Sequence, residues 1–410
     1  MLYRPATLLL LSSTLYNGIQ AQSLIDAISK NPSLSNFTAF YTANTVFASA
    51  FFSNESMYPI TFLVPSNTAF ATFQNQTGKS LTEIAPVDLL RIVQYHTLVS
   101  GLTTENFTSR PEGMTIPTLM IDETYNNRSV GVEMASKFGG PERSSGQVVF
   151  VKPATGSSPS KNKFRLKTRQ SGSGISGVRS GLGSTVNLTT TNGDEGKWDG
   201  GYYHIIDRLL TPPDLCTKTI RGAGLVNLDR ALNRSGIWPQ LDGSANVTCL
   251  GPSNDAFAQA GNPQDALNQT ELTKALFFHT LPMVAYSDYL VDGMEIRSVE
   301  GAMVRVRVED EGGERRVWFN NARLVEENVL VHNGLVHVLD AVMLPLDQLN
   351  STTSATPSAT PSATSSSATS ATTTGSGTPA ASSSGAAVAN IVHRKGWEVL
   401  GALGMVMAVL

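Results

Sequence analysis

Apolar and polar positions follow two rhythms along this chain. Residues 61–70, TFLVPSNTAF, run apolar to Pro65, turn through Ser66 and Asn67 and resume at Ala69 and Phe70, the pattern of a buried strand feeding a helix. In LLRIVQYHTL (89–98), Leu89, Ile92, Val93 and His96 fall at i, i+3, i+4 and i+7, the spacing of one buried helix face. The rhythm changes to period two in VRVRVED (304–310), where valines alternate with charges before EGGE and the run RRVWF. That segment predicts a β-hairpin. Mixed periods of this kind predict an α/β (α+β) protein.

The signals recur. TCLGPSNDAF (248–257) restates the PSN-x-AF core 187 positions later, and LTKALFFHTL (272–281) restates the helix with Leu272, Ala275, Leu276 and His279. GYYHIIDRLL (201–210) and GLVHVLDAVM (334–343) share apolar pair, His, apolar pair, Asp, which aligns His204 with His337 and Asp207 with Asp340. Three landmarks in one order predict two homologous domains. From Pro65 to His204 is 139 positions, from Pro252 to His337 only 85. The Gly/Ser-rich stretch at about 139–184 is the expected insertion in the first copy. Within it Lys161, Lys163, Arg165, Lys167 and Arg169 alternate with Asn162, Phe164, Leu166 and Thr168, which predicts an exposed basic β-ribbon.

TFLVPSNTAF, the Tyr95-His96 pair and GYYHIIDRLL resemble the first conserved block, the YH motif and the second block of fasciclin (FAS1) domains. The resemblance covers roughly residues 22–346 in two copies. It departs at Phe278, which stands for the tyrosine, and at Cys249 and Gly251 before the proline. It implies tandem domains, 22–213 and 214–346, each a twisted wedge of β-strands flanked by a group of helices. In animal fasciclin domains the YH region has been implicated in integrin binding, so Tyr95, His96, Phe278 and His279 become candidate contact residues. Helical phase argues for another role, because the i+7 position aims each histidine at the core, where a hydrogen-bonded structural ring is expected.

The chain ends add a location. MLYRPATLLLLSSTLYNGIQA (1–21) has an early positive charge, a short apolar run and a small residue at its end, the layout of a secretory signal peptide. STTSATPSATPSATSSSATSATTTGSGTPAASSSG is uncharged and rich in Ser, Thr and Pro, so 347–385 is expected to be an extended glycosylated stalk. Small residues at 382–387, a spacer and the apolar run WEVLGALGMVMAVL (397–410) match a glycosylphosphatidylinositol (GPI) attachment signal. Attachment is expected at Ser384 or Gly385, with 386–410 removed. Ten N-x-S/T triplets begin at Asn36, Asn54, Asn75, Asn106, Asn127, Asn187, Asn233, Asn246, Asn268 and Asn350, and are expected N-glycosylation sites. The only two cysteines, Cys216 and Cys249, are expected to pair as a disulfide in an oxidising compartment.

Composition excludes more than it adds. A net charge of −3 with 15% charged and 41% hydrophobic residues fits neither a nucleic-acid binder nor a disordered chain. GSGISG (172–177) formally matches a dinucleotide fingerprint but follows KTRQS rather than an apolar strand, so it carries no cofactor expectation. No catalytic residue, cofactor or metal site is expected. The function expected is non-enzymatic adhesion at the cell surface, anchored to the plasma membrane or cell wall, with wall or matrix glycans and surface proteins as partners. A second class stays open: an accessory protein or component of an extracellular oxidative assembly for pigment or polyketide synthesis, partnered with a secreted oxidase.

Overall fold

The computed structural model describes residues 22–153, 176–189, 196–311 and 314–352. The segment 1–21, the basic alternation 161–169, Ser384, Gly385 and the segment 386–410 lie outside them.

Each half of the chain builds one sheet. In domain 1 the strands are β1 (Ile60–Pro65), β2 (Thr97–Leu98), β3 (Met114–Pro117), β4 (Val148–Pro153), β5 (Ser176–Arg179), β6 (Thr185–Thr189), β7 (Lys197–Trp198) and β8 (Gly201–Ile206). In domain 2 they are β9 (Val247–Pro252), β10 (Thr280–Leu281), β11 (Glu295–Arg297), β12 (Met303–Glu311), β13 (Glu314–Phe319), β14 (Ala322–Val331) and β15 (Gly334–Leu339). The sheet orders, β2-β1-β8-β6-β5-β4-β3 and β10-β9-β15-β14-β13-β12-β11, superimpose strand for strand once the short β7 is set aside. The hairpin expected at 304–319 is β12 and β13, with Val306 opposite Phe319 and Glu311 opposite Glu314.

The first and last strands of each sheet lie side by side and parallel: Ile60 faces Gly201 in domain 1 and Val247 faces Gly334 in domain 2. Such central strands are covered on both faces and read as unbroken apolar runs. Along β1, Ile60, Phe62 and Val64 enter the core beneath the helices while Leu63 enters the opposite one. Along β9, Val247 and Cys249 face the helices and Leu250 faces away.

The repeated PSN triplet is the joint between strand and helix. Pro65 and Pro252 end the strands. Ser66 and Ser253 then cap the helices Asn67–Thr77 and Asn254–Gln259, their Oγ atoms accepting from the amides of Ala69 (3.3 Å) and Ala256 (3.1 Å), as N-cap serines do. The asparagines reach back to an earlier helix: Asn67 Oδ1 accepts from the amide of Asn36 (2.9 Å) and Asn254 Oδ1 from that of Asn227 (3.0 Å). The aspartates of the last landmark close the other side. Asp207 accepts from the amide of Asn187 and Asp340 from that of Arg323, each at 2.8 Å.

The extra length of domain 1 is not one insertion at 139–184. Residues 148–153 and 176–179 are the paired strands β4 and β5, equivalent to β12 and β13, and their valines are core residues. The excess is divided among three connections: 118–147 where domain 2 has 298–302, 154–175 where it has 312–313, and 190–200 where it has 332–333. Composition marked only the Gly/Ser-rich part. The stalk also begins later than expected, because Leu346–Thr352 forms a helix behind Pro345.

Candidate functional site

The landmark histidines are locked into the cores. His96 and His279 end the helices Pro86–Tyr95 and Gln269–Phe278, with 1% and 5% of their surface exposed. His96 Nδ1 donates to the Ile92 carbonyl (2.7 Å) and its Nε2 accepts from the amide of Leu210 (3.0 Å). His279 repeats both bonds, with the Ala275 carbonyl at 2.8 Å and the amide of Met343 at 2.9 Å. One ring nitrogen must therefore carry the proton and the other must lack it, which defines a neutral imidazole. Burial pushes both rings down to about 4, only partly opposed by the carbonyl bonds.

The second pair of histidines uses the other tautomer. His204 Nε2 donates to the Leu102 carbonyl and His337 Nε2 to that of Ala285, each at 2.8 Å. His337 Nδ1 accepts from the amide of Asn328 (3.2 Å). Tyr95 is fully buried and its hydroxyl donates to the Val148 carbonyl (3.0 Å); Phe278 fills the equivalent place by packing alone. The YH positions are thus internal latches, and any influence they have on a partner is exerted through the shape of the surface above them.

A second assembly, which sequence reasoning missed, lies where the domains meet. The Asp288 carboxylate of domain 2 accepts from the amide of Thr115 (2.8 Å) and from its hydroxyl (2.5 Å) in β3. Lys152 of β4 pairs with Glu327, and Arg179 of β5 pairs with Glu326. Strands β4 and β5 fall inside the segment expected to be an insertion. Glu326 and Glu327 are presented by a distorted stretch of β14, whose register shifts between Leu324 and Val329. Buried Asn328 fixes that distortion at φ +49°, its side chain exchanging bonds with Ser287 (3.0 and 2.8 Å). Burial works against the Glu327 charge, yet Lys152 beside it holds the carboxyl below its ordinary range. Tyr286, Leu330 and Leu335 of domain 2 belong to the same apolar cluster as Tyr95, Val148 and Val186 of domain 1. One core therefore runs across the seam.

Cys216 and Cys249 are free thiols packed in one apolar cluster, and this structure holds no disulfide between them. Burial pushes Cys249 up to about 12 and Cys216 well above its usual value; protonated and enclosed, they pack as small apolar groups. Asn187 is buried in β6 and its amide nitrogen donates to Asp207 (2.7 Å), so the folded chain offers no attachment point there. Asn36, Asn75, Asn106, Asn127, Asn233 and Asn268 are exposed, while Asn54 and Asn246 are half-buried. Asn246 reaches across the seam, its Oδ1 accepting from the amide of Ser129 (2.6 Å).

The paired sheets and matched latches coincide with a known family. The fasciclin domain model matches residues 13–212 and 223–345, most of the chain, and the chain belongs to the fasciclin-domain family. It is 25% identical over 337 residues to a fasciclin-like arabinogalactan protein of Arthroderma benhamiae, covering 79% of this chain and 67% of that one. It is 27% identical over 192 residues to the fasciclin-like arabinogalactan protein CTB11 of Cercospora beticola, covering 46% of this chain and half of that one. A solved FAS1 domain pair from the insect cell adhesion molecule fasciclin I aligns at 16% identity and TM-score 0.35, covering 78% of this chain and 99% of that one.

Proposed function

We propose that this is a cell-surface protein of the adhesion type, in which two docked fasciclin domains present a fixed surface to wall or matrix glycans and to neighbouring surface proteins. The observation that carries the reading is the state of the landmark histidines. His96 and His279 have both ring nitrogens bonded to backbone inside the core, so the repeated motifs serve to hold shape and leave no accessible base. The seam supports it further, since a shared core gives the two domains one orientation. Relatives called fasciclin-like arabinogalactan proteins in two fungi support an extracellular, glycosylated setting, and the Ser/Thr/Pro tract and apolar C-terminal run support a stalk and a GPI anchor. Weak contacts from many anchored copies would add through effective concentration.

The test is made on intact cells of the producing organism. Phosphatidylinositol-specific phospholipase should release the protein, and the released protein should bind isolated wall material. Retention on phospholipase-treated cells would remove the anchor, and absence of binding to wall or matrix preparations would remove the adhesive role.

A further inference from the structure

Asn246 opens the triplet Asn246-Val247-Thr248 and also lines a cavity of about 220 Å³ between the two domains. Val130 and Met134 of domain 1 form one wall of that cavity, and Met283, Val284 and Met294 of domain 2 form the other. Met134 is buried and the other four are half-buried, whereas Ser129, Glu133 and Pro282 at the rim are exposed. The cavity therefore has an apolar floor and a solvent-facing polar mouth, and Asn246 is bonded to Ser129 of that mouth. The domain 1 wall comes from the 118–147 connection, for which domain 2 has only 298–302.

The Asn246 side chain is held in place without being used up. Its Oδ1 accepts from the amide of Ser129 (2.6 Å) and its Nδ2 donates to the Ser129 hydroxyl (3.0 Å). That bond takes one of the two Nδ2 hydrogens and leaves the second for a substituent. Asn246 is half-buried at the cavity, whereas Asn187 is enclosed in its sheet with 6% of its surface left. Thr248, which completes the triplet, is fully buried; its hydroxyl donates to the Met283 carbonyl (2.7 Å) and accepts from the amide of Ala285 (2.9 Å). An enzyme that reads the whole triplet must therefore act before domain 2 has folded, and its product is in place when the domains dock.

We infer that Asn246 carries an N-linked glycan whose first sugar, an N-acetylhexosamine, is seated in this cavity and joins its two walls. The inference rests on the extracellular, glycosylated setting proposed above. Attachment forms a bond from Asn246 Nδ2 to C1 of the sugar and breaks the bond from C1 to the diphosphate of a polyprenyl-diphosphate oligosaccharide. The amide gives up one proton and the polyprenyl diphosphate leaves. Volume suits the occupant: an apolar cavity of about 150 Å³ takes a single benzene ring, so one of about 220 Å³ has room for a pyranose ring with its acetamido arm. The lining suits it too. The acetamido methyl and the C–H face of the ring cover half-buried Val130, Val284 and Met294, which removes apolar surface from water. The thioethers of Met134 and Met283 adapt to its outline, and the sugar hydroxyls stay at the mouth beside Glu133.

The test uses the full-length protein from the producing organism. Glycopeptide mass spectrometry should find sugar on Asn246 as well as on the exposed reference sites Asn75 and Asn268. Peptide N-glycosidase applied to the native protein should then release the Asn246 glycan at least tenfold more slowly than those at the reference sites, and at the same rate once the protein is denatured. Val130→Trp and Met294→Trp, which fill the cavity from opposite walls, should each expel the sugar and raise native release at Asn246 to the reference rate. Two variants are used so that the outcome does not hang on the folding of one. A chain without glycan at any triplet would overturn the secretory setting together with this site, whereas glycan at the reference sites with Asn246 bare would overturn this site alone. Equal native release at all three positions, or slow release that persists when the cavity is filled, would overturn the seating of the sugar.

Discussion

At the scale of single residues, the histidines make the sharpest prediction. Replacing His96 or His279 with alanine strands two backbone groups and opens a cavity, so each change should cost about 1–3 kcal/mol, read from urea unfolding midpoints. The same rings make stability depend on pH. His96, His279 and His337 are held down to about 4 by burial, against an ordinary 6.5, so between these values the unfolded chain takes up protons that the folded one refuses. Stability is therefore intact above about pH 6.5 and falls as pH drops toward about 4, by up to ~1.4 kcal/mol per pH unit for each ring. Asp288 works in the opposite sense, since burial raises its carboxyl and its contribution is kept in acid and lost as pH rises. With three rings against one carboxyl, the unfolding midpoint at pH 5 should lie below that at pH 7. Burial of the YH histidines was legible because helical phase is a local property. Burial of Asn187 was not, because a glycosylation triplet carries no information about the sheet around it. Glycopeptide mass spectrometry should find Asn187 unoccupied and the exposed sites Asn75 and Asn268 available.

At the scale of elements, each domain depends on its first and last strands starting in register. Gly201 and Gly334 make this possible. At φ +133° and +155° respectively, they let the opposite carbonyls come so close that a Cβ would sit 2.1 Å from the Ile60 oxygen and 1.9 Å from the Val247 oxygen. The obstacle is backbone, so it cannot rotate aside. Gly201→Ala and Gly334→Ala should each destabilise by about 3 kcal/mol or more, the upper end of overpacking costs, whereas Ser66→Ala and Ser253→Ala, which remove only a cap, should cost about 1 kcal/mol. Denaturant midpoints of the four variants give that ranking directly. The joints themselves were legible, because strand, cap and helix follow one another within ten residues. The parallel pairing of β1 with β8 was not, since the two strands come from opposite ends of the domain and no local pattern links them.

At the scale of the whole molecule, the seam decides whether the domains move together. Reversing one charge, Arg179→Glu, places two carboxylates side by side and should cost ~1–3 kcal/mol, between the ranges for exposed and buried pairs. The variant should be cut faster by protease between residues 207 and 215 and should scatter as a longer particle, with Glu326→Arg partly restoring both. None of this was readable in the sequence, where Lys152 and Arg179 fell inside the Gly/Ser-rich stretch expected to be an insertion and no pattern singled out Glu326, Glu327 or Asn328. The ion pairs of the seam arise where the distortion of β14 turns Glu326 and Glu327 toward β5 and β4 of the neighbouring domain. The position of the histidine latches also has a mechanical meaning. Met343, whose amide His279 holds, lies between the closing strand β15 and the chain that leads on past Leu346–Thr352. A pull arriving through that chain meets the bonds that Asn320 and Asn321 make to Leu344 and then this one before it reaches the sheet. β15 itself lies between β9 and β14 and is bonded to both, so force directed along it must shear two ladders at once rather than unzip one. Seen from its C-terminal side, domain 2 is therefore pinned in sequence, by Asn320 and Asn321 at Leu344, by His279 at Met343 and then by the two ladders of β15.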